Sequence, residues 1–263
     1  MARTSGVATS ATVTSQTLLT WQEHVDNARA ELAKGLSRPD RFIRLEQDAG
    51  KRESVRSGDI LAAHAPEGGL TAVPSGLVHH WIGAVFIGEV RASDVIAVLQ
   101  NYDGYAGIYS PAVVESSLSS RAGDEFKYRL KFQNKGFGVK AKLLGDFRSE
   151  YFKLDAATGY SVTVATDLTE LANAETSEER PLTTAQARGY VERIFTIVRY
   201  RECESGVLVE VETLTLSRDI PGSVRWLASP LIQRFSRNVM ISTLDRLRNK
   251  VEATRGVESA ARR

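Results

Sequence analysis

Two histidines stand side by side in the most apolar part of this 263-residue chain, within GLVHHWIGAVFIG, Gly76–Gly88. Adjacent imidazoles invite metal ligation or proton transfer. On a strand, neighbouring side chains point to opposite faces, so His79 and His80 could share one metal only across a bulge. No HxH, HxxxH or HExxH spacing is present, and His24 and His64 lie in the N-terminal quarter. The expectation is two rings on the two faces of one strand. Parity leaves open which faces inward: Trp81, Val85 and Ile87 go with His79, while Ile82 and Phe86 go with His80.

Three further groups could do chemistry. Tyr102, Asp103, Tyr105 and Tyr109 sit within eight residues, either as a polar-tipped aromatic rim over a binding site or as packing for short helices. Arg129, Lys131, Arg193, Arg199, Glu210 and Glu212 fall inside alternating segments. Glu210 and Glu212 share a face with Leu208, Leu214 and Leu216, so the expectation is a partly buried carboxylate paired with a neighbouring arginine. The other reading is a general base. Third, the span from 218 to 263 carries ten Lys/Arg against four Asp/Glu. That suits a solvated helix face or attraction to anionic headgroups. No nucleophile elbow, Walker A loop or dinucleotide fingerprint is supported. No cofactor is expected.

Composition narrows the classes. The chain can bury a sizeable core, and its net charge of +2 with 25% charged residues gives no reason to expect nucleic acid. Cys203 is the only cysteine, which excludes an internal disulfide or thiolate cluster and fits a reducing compartment, so a cytoplasmic location is expected. No run reaches the roughly 18 apolar residues of a membrane span. Residues 1–16 lack the apolar region of a signal peptide and read as a disordered tail.

These groups must be positioned by regular elements. From 17 to 36 the spacing of Leu18, Leu19, Trp21, Val25, Ala28 and Leu32 predicts a helix. RFIRLEQ reads as a short strand, and 48–74 as loop with one strand around Ile60. LVHHWIGAVFI is a strand, followed by a helix capped by Ser93. EFKYRLKF, VKAKLLGDFRSEY, YSVTVATDL, YVERIFTIVRYRE and GVLVEVETLTLS alternate with period two, as antiparallel strands with one wet face do. Ser229-Pro230 marks the start of a helix running to about 252, whose apolar stripe of Leu231, Phe235, Val239, Met240, Leu244, Leu247 and Val251 must cover the sheet.

At AVFIGEVRASDVIAVLQNYDGYAGIYSPAVVES and GVLVEVETLTLSRDIPGSVRWLASPLIQRFSRNVMISTLDRLR the chain resembles the START-like superfamily, which includes the polyketide cyclase/dehydrase and Bet v 1-like proteins. The resemblance implies an α+β helix-grip fold over 76–253, a curved antiparallel sheet wrapped around a long C-terminal helix. Residues 17–75 form an N-terminal extension, and 254–263 a disordered basic tail. It also implies a cavity for a hydrophobic small molecule such as a lipid or polyketide. Strand parity and helix phase place Tyr102, Tyr105, Tyr109, Tyr128, Phe132, Phe147, Tyr160, Trp226, Leu231 and Phe235 in its wall and lid. A cyclase, aromatase or dehydrase on this fold, and an interaction module with a filled cavity, are the alternatives. Transient contact with a membrane surface is a further expectation.

Overall fold

The period-two segments do become strands, and they pair into one sheet. A computed structural model describes residues 13–66, 69–136, 139–173, 176–189, 191–218 and 222–261. The side chains of 134–136, 139–141, 222–232 and 257–261 lie outside that description. The strands are β1 (Leu61–His64), β2 (Leu70–Val73), β3 (Gly76–Gly88), β4 (Val113–Ala122), β5 (Glu125–Gly136), β6 (Val139–Lys153), β7 (Thr158–Ala172), β8 (Arg180–Pro181), β9 (Arg193–Cys203) and β10 (Gly206–Arg218). Their order is β1-β3-β10-β9-β7-β6-β5-β4, with β2 beside β3 and β8 beside β7. Every pairing is antiparallel. Register shifts in the β4/β5 ladder and at Asp146/Phe147 between β6 and β7 add local twist and bend the ladder.

The helices are α1 (Ser15–Leu36), α2 (Ala49–Arg56), α3 (Ala92–Leu99), α4 (Tyr105–Ile108) and α5 (Gly222–Ala261). The long C-terminal helix therefore begins eight residues before Pro230, further upstream than the Ser-Pro signal indicated, and runs through the proline. Its apolar residues Met240, Leu244, Leu247 and Val251 pack with Trp81, Val85 and Ile87 of β3 and with Val95 and Val98 of α3. Gly83 is the crossing point. A Cβ there would lie 2.6 Å from Met240 Cγ and 2.8 Å from Leu244 Cδ1, so the missing side chain lets the helix approach the sheet. This is the helix-grip arrangement, and it stands on the chain's own topology.

The expectation of one wet face is corrected: α1 lies on the outer sheet face, opposite α5. Trp21, Val25, Ala28 and Leu32 of α1, then Phe42, Ile43, Leu45 and Val55, share a second core with Val78, Ala84, Phe195, Ile197, Leu208, Leu214 and Leu216. The central strands are thus buried on both faces. β10 alternates between the cores, with Val207 and Val209 inward and Leu208, Leu214 and Leu216 outward.

RFIRLEQ is not a strand. It forms 3-10 turns at Pro39–Arg41 and Arg44–Gln47. Phe42 and Ile43 are adjacent and both buried on the same face, which period-two geometry forbids. α2 was hidden because Val55 is its one buried residue. Its cap was legible: Asp48 accepts from Lys51 N at 3.1 Å. β4 is a serine-rich, largely exposed edge strand with little apolar pattern. At α3 the N-cap position is Arg91, not Ser93. The first-turn donors are taken by carboxylates, Asp94 accepting from Arg91 N and Glu202 from Ala92 N, both at 2.8 Å.

Candidate ligand-binding face

The two histidines part as strand parity requires. His79 shares the inner face with Trp81, Val85 and Ile87, and His80 points outward into the core beneath the extension. His79 Nε2 lies 3.0 Å from Ser217 Oγ. Burial, with a contribution from His64, lowers its pKa to about 4, so the ring is neutral near pH 7. A neutral imidazole beside a hydroxyl has the outline of a nucleophile–base pair. Among the described residues no carboxylate orients it, and the pair reads as a hydrogen bond closing the strand ends.

A pH dependence follows. His79 binds a proton more readily unfolded, near 6.5, than folded, near 4. Between those values the unfolded state holds more protons, so stability falls as pH drops from 6.5 towards 4 and is unaffected by this group above 6.5. The full displacement corresponds to about 3 kcal/mol, and some solvent contact reduces the expected loss to about 2 kcal/mol. Urea unfolding at pH 7 and pH 4.5 should show it, and His79→Gln should remove most of the difference.

His80, Glu210, Glu212, Arg199 and Arg44 form a buried polar cluster on the outer face. Arg199 donates from Nη1 to Glu210 Oε1 at 3.2 Å and from Nη2 to Glu212 Oε2 at 2.7 Å. Glu212 Oε1 lies 2.8 Å from His80 Nε2 and accepts from Arg44 Nη1 at 3.2 Å. Glu210 accepts backbone N–H groups of Arg44 and Leu45 at 3.2 and 2.8 Å. Burial raises the Glu212 carboxyl, but its His80, Arg199 and Arg44 partners outweigh this and hold it at about 2. The paired-carboxylate expectation is met. Because the cluster lies behind the sheet and clasps the extension, its carboxylates do not reach the inner face.

The inner face at β4–β7 is aromatic. Tyr128 is stacked between Tyr102, with centroids 3.9 Å apart, and Phe147, at 5.4 Å. Tyr105 packs at 5.0 Å from Tyr102 and edge-on to Tyr109 at 4.9 Å, and Phe132 meets Phe147 at 5.8 Å. The hydroxyls are ordered. Tyr102 Oη lies 2.9 Å from Tyr151 Oη, which donates to Leu99 O at 3.0 Å. Tyr105 donates to the same carbonyl, one of those a helix end leaves without an intrahelical partner. Tyr128 Oη, Ser149 Oγ and Thr163 Oγ1 form a chain at 3.2 and 2.6 Å. Asp103 accepts from Leu118 N at 2.7 Å and ties the tyrosine-bearing turn to β4. Burial pushes the phenols of Tyr105, Tyr109, Tyr128 and Tyr151 well above the usual tyrosine range. They are hydrogen-bond donors and not phenolate bases at physiological pH.

Tyr102, Tyr105, Tyr109, Tyr128, Phe132 and Phe147 are therefore brought together on one face. Tyr160 is not. It lies on the outer face, stacked on Phe152 at 4.7 Å and edge-on to Phe42 at 6.4 Å. Tyr160, Val162 and Val164 do share a side, but it faces the extension; Ala165 is inner by parity with Thr163, and the register shift at Asp146/Phe147 brings Leu168 to the same inner face. Phe235 is half-buried on α5. The side chains of Trp226 and Leu231 lie outside the described residues. Missed were Trp81, Phe126, Leu130, Tyr151 and Tyr200 of the inner core. Parity with Phe147 was sufficient to place Tyr151. Trp81 buries its Nε1 without a hydrogen-bond partner.

Neither of two concavities lined by described residues lies between sheet and α5. One, of about 620 Å³, is formed by the extension and β9, and one of about 180 Å³ lies near Glu115 and Lys131. No described group of three or more His, Cys, Asp or Glu could hold a metal. No described helix is long and apolar enough to cross a membrane.

No protein-family model and no curated protein matches the chain. Among solved structures it is similar to a Thermus thermophilus protein, TTHA0849, at 15% identity and TM-score 0.49, covering 66% of this chain and 98% of that one. It is also similar to a STAR-related lipid transfer protein fragment from Xanthomonas axonopodis, at 18% identity and TM-score 0.49 over 73% of this chain and 98% of that one. The Zhui aromatase/cyclase from Streptomyces shares 15% identity at TM-score 0.46, over 66% and 94% of the two chains.

Proposed function

We propose that this chain binds a hydrophobic small molecule against the inner face of β5–β7, on the sheet face that α5 covers. The observation that carries the reading is a continuous strip of half-buried apolar side chains there: Leu118, Phe132, Ala165 and Leu168, with Ile108 and Tyr109 at its edge. The described core residues of α5, Met240 to Val251, lie over β3 and α3. Apolar walls with a few placed donors are what small-molecule sites use, and the Tyr109 phenol at the edge of the strip supplies a donor that makes no hydrogen bond among the described residues. The hydroxyls of Tyr102, Tyr105, Tyr128, Tyr151 and Ser149 are satisfied by one another, by Thr163 and by Leu99 O, with no carboxylate or imidazole bonded to them among the described residues. That supports binding over acid–base catalysis.

Native mass spectrometry of the gently purified chain should show a co-purifying apolar molecule at one per chain. The emptied protein should bind a dansylated fatty acid, and Leu168→Arg should weaken that binding at least tenfold by placing a charge on the strip. Absence of any retained molecule together with probe binding unchanged in Leu168→Arg would overturn the reading.

A further inference from the structure

The larger concavity lies on the far side of the molecule from the aromatic face. Asp40, Arg41, Glu46, Gln47, Arg52 and Arg201 line it. The stretch that forms it is basic: residues 34–56 carry seven Lys/Arg and four Asp/Glu, a net +3, in a chain whose whole net charge is +2. Arg201 bonds Glu46 and Pro39 O, and its guanidinium rests over the Phe42 ring at 5.6 Å. The guanidinium groups of Arg41 and Arg52 make no hydrogen bond or ion pair among the described residues, although Arg52 and Arg56 both lie within electrostatic reach of Glu46. Three arginines thus surround one hollow with two of the forks uncommitted.

The frame that presents them is fixed. Phe42, Ile43 and Leu45 are buried in the outer core, and Glu210 holds the N–H groups of Arg44 and Leu45 from below. Gly35 of α1 lies so close to this turn that a Cβ would meet Arg41 O at 3.2 Å and Phe42 Cα at 3.3 Å. With the backbone anchored, binding has to order only the arginine side chains, which limits its entropic cost.

We propose that this hollow binds a phosphate-bearing anion, with Arg41 and Arg52 as forked donors from the extension and Arg201 as the charge from β9. Guanidinium groups match phosphate oxygens bidentately, and a volume of about 620 Å³ accommodates a phosphate monoester with its attached group. Glu46 is engaged by Arg201, which leaves Asp40 as the acidic group opposing the anion. Free phosphate compounds and lipid headgroups present the same chemistry.

The test is calorimetry of the full chain with inorganic pyrophosphate at low salt, beside co-sedimentation with phosphatidylcholine vesicles containing phosphatidic acid. One site is expected, weakened at least tenfold in the double variant Arg41→Gln/Arg52→Gln and severalfold by raised salt, and tightened by Asp40→Asn. Both arginines are exposed, and unchanged thermal melting of the double variant confirms its fold. Pyrophosphate binding without sedimentation assigns a soluble ligand, and sedimentation that pyrophosphate competes away assigns a headgroup. The proposal is overturned by the absence of both, by binding unaltered in the double variant, or by vesicle association that pyrophosphate does not displace. None of these outcomes bears on the hydrophobic site, which lies on the other face.

Discussion

Glu212→Ala is expected to lose about 3–5 kcal/mol of stability, the range for removing one partner of a buried ion pair. Glu212 is fully buried, and Arg199, of which 1% is exposed, shares it with Glu210. Without the carboxylate, Arg199 Nη2, His80 Nε2 and Arg44 Nη1 lose an acceptor at 2.7–3.2 Å, and the first two are buried. Set against the 5–15 kcal/mol typical of a folded domain, the loss should lower the urea midpoint sharply or prevent folding. The sign with pH is fixed by Glu212 itself. Its folded carboxyl titrates at about 2 against an ordinary 4.5, so its contribution is complete above 4.5 and is lost as pH falls from 4.5 through 2. A second variant separates the charge from the packing. Replacing Arg199, Glu210 and Glu212 together with Met, Leu and Leu leaves no buried charge orphaned among the three. It should recover much of the loss, because apolar replacement of a whole buried ionic group is often near neutral. If Glu212→Ala melts with the wild type, the cluster does not hold the extension to the sheet.

The same cluster marks where sequence pattern was informative and where it was not. Glu210 and Glu212 were readable as partly buried because alternation placed them beside Leu208, Leu214 and Leu216. Their partner Arg44 was not, because it sits in a 3-10 turn whose apolar residues follow neither period. The strands β5, β6, β7, β9 and β10 were legible for one reason: a side-chain period of two is a local property. Which face each set occupies is not local. Tyr160 was placed on the wrong side because face assignment depends on register across several strands, and one shift between β6 and β7 exchanges the faces for Leu168 relative to Val164. The outer cover was missed for a related reason. The apolar stripe of α1 was visible, but nothing in a single sequence says which of two sheet faces it meets. The tyrosines from 102 to 109 were grouped correctly because chain proximity alone brings them together.

Leu244→Ala should be the second most damaging single change among those considered. Leu244 is fully buried between α5 and β3, over the hydrogen face of Gly83. Met240, Leu247 and Val251 continue the same contact. Deleting three side-chain carbons there removes their transfer free energy and leaves a hollow that the rigid β3/β10 ladder cannot close, at a cost of about 2–5 kcal/mol. The consequence differs from that at Glu212. This stretch of α5 is what anchors the helix across the sheet, so its weakening should release the whole grip helix before the outer core melts. Amide hydrogen exchange should then show early loss of protection from 233 to 256, with α1 and β9 protected as in the wild type. Leu244→Met keeps the volume approximately constant and should cost less than about 1.5 kcal/mol. Equal exchange rates in α5 and α1 of Leu244→Ala would mean that both faces of the sheet open together, and that the helix is not an independently releasable cover. Released first, α5 has the mobility needed to admit a ligand to the aromatic face, and the dansylated fatty acid should then associate faster with Leu244→Ala than with the wild type.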